Sequence, residues 1–315
     1  MPETHGGPEL GGFVFPLRAG FCKNSLFSQF LRIRANYRGT MTSQHWDEPR
    51  AAAYSQFHYN FPDKTLEGKT ILIAGGTGGL GAAAVSLLAR DGAHLVVGYR
   101  KNRGRAEALS AAMAKQFGAK MNLVEGDLCA SETRRKYLEA AAATGGPIAG
   151  AAIFSGDPAR VAFQDLNREA LAASLESNFV GPVLLAKDLG EAMEGSRFGG
   201  SLVLLATMQA MTVFPSSLNY AAPKAALVHA AKILAQQWSR VRVNVVAPGA
   251  TIAGMAAASV QSGKYDRFVA RGAIERFGHA EDVARAVRFF LEPDNYITGQ
   301  TLVVDGGLTL RRDRG

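Results

Sequence analysis

The chain is poor in the residue types that build metal and disulfide frameworks. It has two cysteines, Cys22 and Cys129, and no CxxC. That argues against a disulfide scaffold and a cysteine-based zinc site, and it fits a reducing compartment. The six histidines show no HExxH spacing, so no metal site is expected. No apolar run approaches the ~20 residues of a membrane span; stretches such as LVLLA at 202–206 have strand length. Between Leu10 and Trp46 acidic residues are missing altogether, while Arg18, Lys23, Arg32, Arg34 and Arg38 are basic. The Met1 end lacks a basic region followed by an apolar core, which speaks against a secretory signal.

What remains is ample for a folded domain. The 315 residues are 47% hydrophobic, enough for one large α/β domain or two small ones. The net charge is +8 and the pI about 9.6. Apart from the RRDRG tail and the front arginines, the cations are dispersed. They read as a solvated surface that helps to attract an anionic cofactor or substrate, rather than as a nucleic-acid face. Residues 1–65 carry no sustained periodicity and read as an extension, partly disordered. Two accounts stand: an Arg- and Ser-rich organelle transit peptide, or an upstream extension with Met41 as the first residue. The second is preferred, with a cytoplasmic location.

From Gly68 the pattern alternates. Short apolar runs at 69–75, 94–99, 121–127, 150–156, 201–207, 241–249 and 301–307 read as strands. Segments at 79–93, 103–118, 131–144, 168–195, 220–238 and 280–292 have helical periodicity. Repeated βα units predict a Rossmann-type doubly wound α/β fold, with about seven parallel strands and helices on both faces, in a single domain over 66–315.

AGGTGGLG at 74–81 follows a buried strand and opens a helix, a context that raises a Gly-rich motif above chance. Gly75 permits the tight turn. Gly79 and Gly81, with Thr77 and Leu80 beside them, bring a pyrophosphate close to the helix N-terminus. The end of the second strand reads VVGYRKN. Tyr99 stands where an acid would bind a ribose 2′-hydroxyl, and Arg100 and Lys101 follow. Two cations favour a 2′-phosphate, hence NADP(H), with NAD(H) as second choice. Asp127, beside Leu128, ends the third strand, where a carboxylate suits an adenine amino group.

Tyr220 and Lys224 lie four residues apart, on one face of a helix. The ammonium is expected to stabilise a phenolate and make the tyrosine a proton donor nearer neutral pH. Pro223 is tolerable only in the first turn, so the helix is expected to start near Tyr220, with Ser216, Ser217 or Asn219 as cap.

In order along the chain stand AGGTGGLG, GDL at 126–128, SNFVG at 177–181, LLAT at 204–207, YAAPK at 220–224, RVNVVAPG at 242–249 and ITGQTLVVDGG at 297–307. Over about 66–309 the chain resembles the short-chain dehydrogenase/reductase family. Its closing stretches are similar to those of 3-oxoacyl-(acyl-carrier protein) reductases. The resemblance implies Tyr220 as general acid, Lys224 on the nicotinamide ribose and lowering the Tyr220 pKa, and Asn178 holding a water of the proton relay. It also implies backbone from Asn244, Pro248 and Gly249 at the nicotinamide. The departures are Thr207 for the usual serine, Ile153-Phe154-Ser155 before the retained Gly156, and Ala253 for a threonine that Thr251 could replace. Met208, Met211, Phe214 and Leu218 could line an apolar substrate pocket or pack as ordinary loop residues, and residues 250–278 could form a lid.

The reading is an NADPH-dependent reductase taking a ketone reversibly to a secondary alcohol, with a 3-oxoacyl thioester, free or carrier-bound, as first substrate. The alternatives are an NAD(P)-dependent hydroxysteroid or polyol dehydrogenase and, outside enzymes, an NADP(H)-binding sensor with little turnover. The resemblance also implies a homodimer or homotetramer.

Overall fold

The computed structural model describes residues 64–214 and 217–311. The expectations placed on the N-terminal extension, Ser216 and the basic tail fall outside these residues. Seven strands form one parallel sheet in the order β3-β2-β1-β4-β5-β6-β7. They are β1 (Thr70–Ala74), β2 (His94–Tyr99), β3 (Met121–Glu125), β4 (Ile148–Ile153), β5 (Gly200–Leu205), β6 (Val241–Pro248) and β7 (Thr301–Val304). The order reverses between β1 and β4, the switch point where such sheets open a crevice at their carboxyl ends.

Period-two alternation sends side chains to two separate cores. Leu72, Val96, Leu202, Leu204, Val243 and Val245 face one cluster. Ile71, Ile73, Leu95, Val97, Val203 and Leu205 face the other. Both faces are therefore covered, which is why the strands read as continuous apolar runs. The second cluster is closed by α1 (Gly79–Arg90) and α2 (Arg103–Phe117). The first is closed by α3 (Ser131–Ala142), α5 (Gly181–Glu194) and α6 (Leu218–Gln237). The helix α9 (Ala280–Leu291) packs on α1 and buries Val283, Val287, Phe290 and Leu291. At its start His279 N–H donates to Asp282 Oδ2 at 2.8 Å.

Two helices differ from expectation. The long helix expected over 168–195 is α4 (Arg168–Leu175), a five-residue π turn at Glu176–Val180, and α5. The π turn places Asn178 at 0% exposure; such insertions concentrate at functional sites. The helix α6 begins at Leu218, so Pro223 sits in its second turn instead of its first. Proline supplies no N–H for the Asn219 carbonyl four residues back. The Ser174 hydroxyl of α4 donates to that carbonyl instead, and this tertiary bond lets the helix begin earlier.

The segment expected as a lid is more than a loop. It contains α7 (Ala257–Gln261) and α8 (Asp266–Ala270). Val260, Tyr265, Phe268 and Ile274 make a third apolar cluster with Met208 and Leu308 of α10 (Leu308–Arg311). No helix among the described residues is long and apolar enough to cross a membrane.

Candidate active site

The carboxyl ends of the strands open into a cleft of about 720 Å³. The Gly-rich turn forms its floor. Gly75 adopts φ +74°, and a Cβ there would press on the Phe154–Ser155 backbone at 3.1 Å. A Cβ on Gly79 would lie 2.5 Å from the Gly254 nitrogen, and one on Gly81 2.4 Å from the Gly75 carbonyl. With no side-chain cap and no acid in its first turn, α1 leaves N–H groups and the positive end of its dipole facing the cleft. Thr77 and Leu80 line the same floor.

At one end lie Tyr99, Arg100, Asp127 and Leu128. The Tyr99 hydroxyl donates to Glu125 Oε2 at 3.1 Å. Arg100 faces Asp127 at 3.9 Å, both half exposed. Asp127 Oδ1 also accepts from Cys129 N–H at 3.0 Å. Lys101, expected beside Arg100, is exposed and outside the cleft lining.

At the other end Thr207, Tyr220 and Lys224 converge from β5 and α6. Thr207 stands close enough to Tyr220 to lower its pKa, and its Oγ1 accepts the Gln209 N–H at 3.3 Å. Lys224 is 2% exposed; its Nζ donates to Leu205 O at 2.8 Å and Ser155 O at 3.4 Å. Burial lowers it to about 7. Burial raises Tyr220 to about 12, against the Thr207 hydrogen bond that lowers it, with Tyr265 adding a small upward push. In this arrangement burial, rather than Lys224, sets the direction of the Tyr220 shift. The ammonium is spent on two carbonyls, and desolvation dominates the phenol.

Asn178 does not line the cleft. Its Oδ1 accepts Asp157 N–H at 3.1 Å, and its Nδ2 donates to Asp157 O at 3.0 Å and Ser174 Oγ at 3.2 Å. It thus pins the loop after β4. Gly156 fits between it and Lys224, where a Cβ would come within 2.6 Å of Asn178 Oδ1. Asn244 is likewise structural in its contacts, donating to Ile297 O at 2.8 Å and accepting from Gln300 N at 3.0 Å. Pro248, Gly249 and Thr251 line the cleft, but the Thr251 hydroxyl donates to Gly249 O at 3.1 Å.

Of the apolar residues expected around substrate, Met208 lines the cleft. Met211, Phe214 and Leu218 line a second cavity of about 470 Å³, which shares Val161, Gln209 and Ser217 with the first. Sequence reasoning singled out Ser155 only as a departure and missed Arg160 and Tyr265; all three are in the lining. They come from irregular segments with no motif, and only the fold brings them in.

A dinucleotide fits this cleft by its shape and its polar groups. Its glycine floor admits no Cβ, and the Ser155 hydroxyl is buried with no hydrogen-bond partner. No group of His, Cys, Asp or Glu suited to a metal ion occurs among the described residues.

A family model described as Enoyl-(Acyl carrier protein) reductase matches residues 74–309. Human dehydrogenase/reductase SDR family member 4 is 30% identical over 257 residues, spanning 78% of this chain and 89% of that protein. Its Bos taurus counterpart is 32% identical over 273 residues, 83% and 93% of the two chains. Among solved structures, a short-chain dehydrogenase/reductase family protein is 28% identical with a TM-score of 0.68, covering 78% of this chain and 99% of its own. A short-chain type dehydrogenase/reductase from Mycobacterium ulcerans shares the fold with a TM-score of 0.73 at 23% identity, covering 78% and 91%. The chain belongs to the short-chain dehydrogenase/reductase family. It is an NAD(P)-dependent dehydrogenase/reductase of that family.

Proposed function

We propose that the protein reduces a ketone to a secondary alcohol with NADPH, and runs in reverse when the alcohol is in excess. The observation that carries this reading is the convergence of Thr207 and Tyr220, beside buried Lys224, in the same cleft as the Gly-rich turn. Bound NADPH supplies the hydride. The α1 N-terminus and Gly79 would hold the pyrophosphate, Arg100 would meet the 2′-phosphate, and Asp127 and Leu128 would flank the adenine. Thr207 orients the carbonyl oxygen, and Tyr220 donates a proton to it as negative charge develops there. Because burial holds the phenol near 12, Tyr220 enters the reaction protonated at neutral pH. Lys224 would hold the nicotinamide ribose, and its bond to the Ser155 carbonyl ties down the loop after β4.

A 3-oxoacyl thioester is the first substrate, supported by the closing ITGQ and VDGG stretches. A polyol or sugar alcohol is the second reading, supported by a relative 27% identical over 254 residues that is named glucose 1-dehydrogenase. The test follows NADPH absorbance with ketones and 3-oxoacyl thioesters. Tyr220→Phe is expected to lose more than about a hundredfold in kcat while keeping the NADPH Kd of the parent. Equal loss of both, or full activity in the variant, would remove Tyr220 from its role.

A further inference from the structure

The catalytic end of the cleft carries positive charge that no motif announced. Arg160, on the loop between β4 and α4, lines the cleft together with Gln209 and Tyr265. Its Nη2 donates to Met255 O at 2.7 Å and Ser259 Oγ at 3.3 Å, across the mouth of the cleft. The N–H groups of Nε and Nη1 have no partner among the described residues. A second cation in the lining, Lys264, lies over the Tyr265 ring with Nζ 5.7 Å from its centroid.

No acid offsets these charges. The carboxylates in the lining are Asp127, which faces Arg100, and Glu176, whose backbone carbonyl takes the Cys129 thiol. Both belong to the nucleotide end. Asp157 is close in sequence, but its Oδ1 accepts the Ala159 N–H at 2.8 Å.

The position of Arg160 is built rather than incidental. Ala159 before it has φ +47°, a left-handed conformation that alanine rarely adopts. Its N–H is held by Asp157, and its carbonyl accepts from Asn219 Nδ2 at 3.1 Å. Asn219 precedes Tyr220 on α6, so the loop that presents Arg160 is tied to the helix that presents the acid. Burial raises the Tyr265 phenol, and Arg160 stands near enough to oppose that rise; Tyr265 acts in turn on Tyr220.

We infer that the substrate is an oxo acid, whose carboxylate is bound by the unused N–H groups of Arg160 with Lys264 as a second charge. This rests on the carbonyl-reductase reading above and puts a free acid in place of the thioester as first substrate. Both cations are solvent-exposed; arginine suits a carboxylate through charge-assisted hydrogen bonds, and a guanidinium in the cleft lining with N–H groups to spare selects an acid over its neutral analogues.

The test uses the full chain, NADPH, and matched pairs: 3-oxobutanoate, 4-oxopentanoate and 5-oxohexanoate against their methyl esters. A 3-oxobutanoyl N-acetylcysteamine thioester is added as the neutral competitor. For at least one pair the acid is expected to exceed its ester in kcat/KM by about ten- to a hundredfold, the worth of a hydrogen bond to a charged group. In Arg160→Met that acid-to-ester ratio is expected to fall toward one, mainly through KM, while Arg160→Lys keeps part of it. The ratio is the readout, because losing the Met255 and Ser259 contacts can slow acid and ester alike. A wild-type ratio near one, a thioester better than every acid, or an unchanged ratio in Arg160→Met would overturn the inference while leaving the reductase reading intact. No NADPH consumption with any compound would remove both.

Discussion

Ser174 donates its hydroxyl to the carbonyl of Asn219, the helical oxygen that Pro223 leaves without an N–H. The same hydroxyl accepts from Asn178 Nδ2 at 3.2 Å. One small side chain thus joins the π turn to the helix of Tyr220 and Lys224. Ser174→Ala is expected to cost about 1–3 kcal/mol, because it strands a buried acceptor. Pro223→Ala restores the N–H, so the cost of Ser174→Ala should be smaller in that background. Urea denaturation of the four proteins checks this, and an equal cost in both backgrounds would refute the pairing.

Lys224 gives the unliganded protein a pH signature. Its folded-state value is lowered to about 7 by burial, against an ordinary lysine value of about 10.4. Below pH 7 the lysine is charged both folded and unfolded, and its desolvation opposes folding in full. Between about 7 and 10 only the unfolded chain stays charged, so stability attributable to this residue rises with pH. Wild type measured against Lys224→Met should gain in Tm across that window and run parallel below it. A gain toward acid pH would contradict the burial account.

Tyr220 adds a directional asymmetry. With its phenol raised to about 12, proton donation in ketone reduction needs no titration from pH 6 to 9. Alcohol oxidation needs the phenolate and should climb with pH. Thr207→Val removes the hydrogen bond that lowers the phenol pKa, so oxidation should weaken further in that variant. The pH profiles of kcat/KM in both directions decide it.

Arg100 and Lys101 should separate in their effects on the cofactor. Arg100 lines the cleft and Lys101 does not. Arg100→Ala is expected to weaken NADPH binding by about tenfold and leave NADH almost unchanged, with the difference shrinking at high salt. Lys101→Ala should do much less. Fluorescence titrations with both cofactors would show it; equal losses from the two variants would mean that the 2′-phosphate sits elsewhere.

Local signals made the frame legible. Strand runs such as TILIA and HLVVGY, the glycines of 74–81 and the four-residue step from Tyr220 to Lys224 are all short-range patterns. Long-range partners were not legible. The second-turn place of Pro223 depends on a hydroxyl 45 residues from the carbonyl it satisfies. The single helix expected over 168–195 hid a π turn, because an inserted residue barely disturbs the apolar period. Arg100 and Lys101 are neighbours, yet leaving a strand they diverge, so only one reaches the cleft. Arg160 carried no pattern; its role depends on a strained alanine and on contacts to a flap about 95 residues further on.

Where Gly79 meets Gly254, the cleft narrows to two peptide chains in direct apposition, with no space for a methyl group between them. That apposition ties the Gly-rich turn to the segment that starts at Ala253. A substitution at Gly79 would therefore displace the segment that starts at Ala253 before it met any ligand.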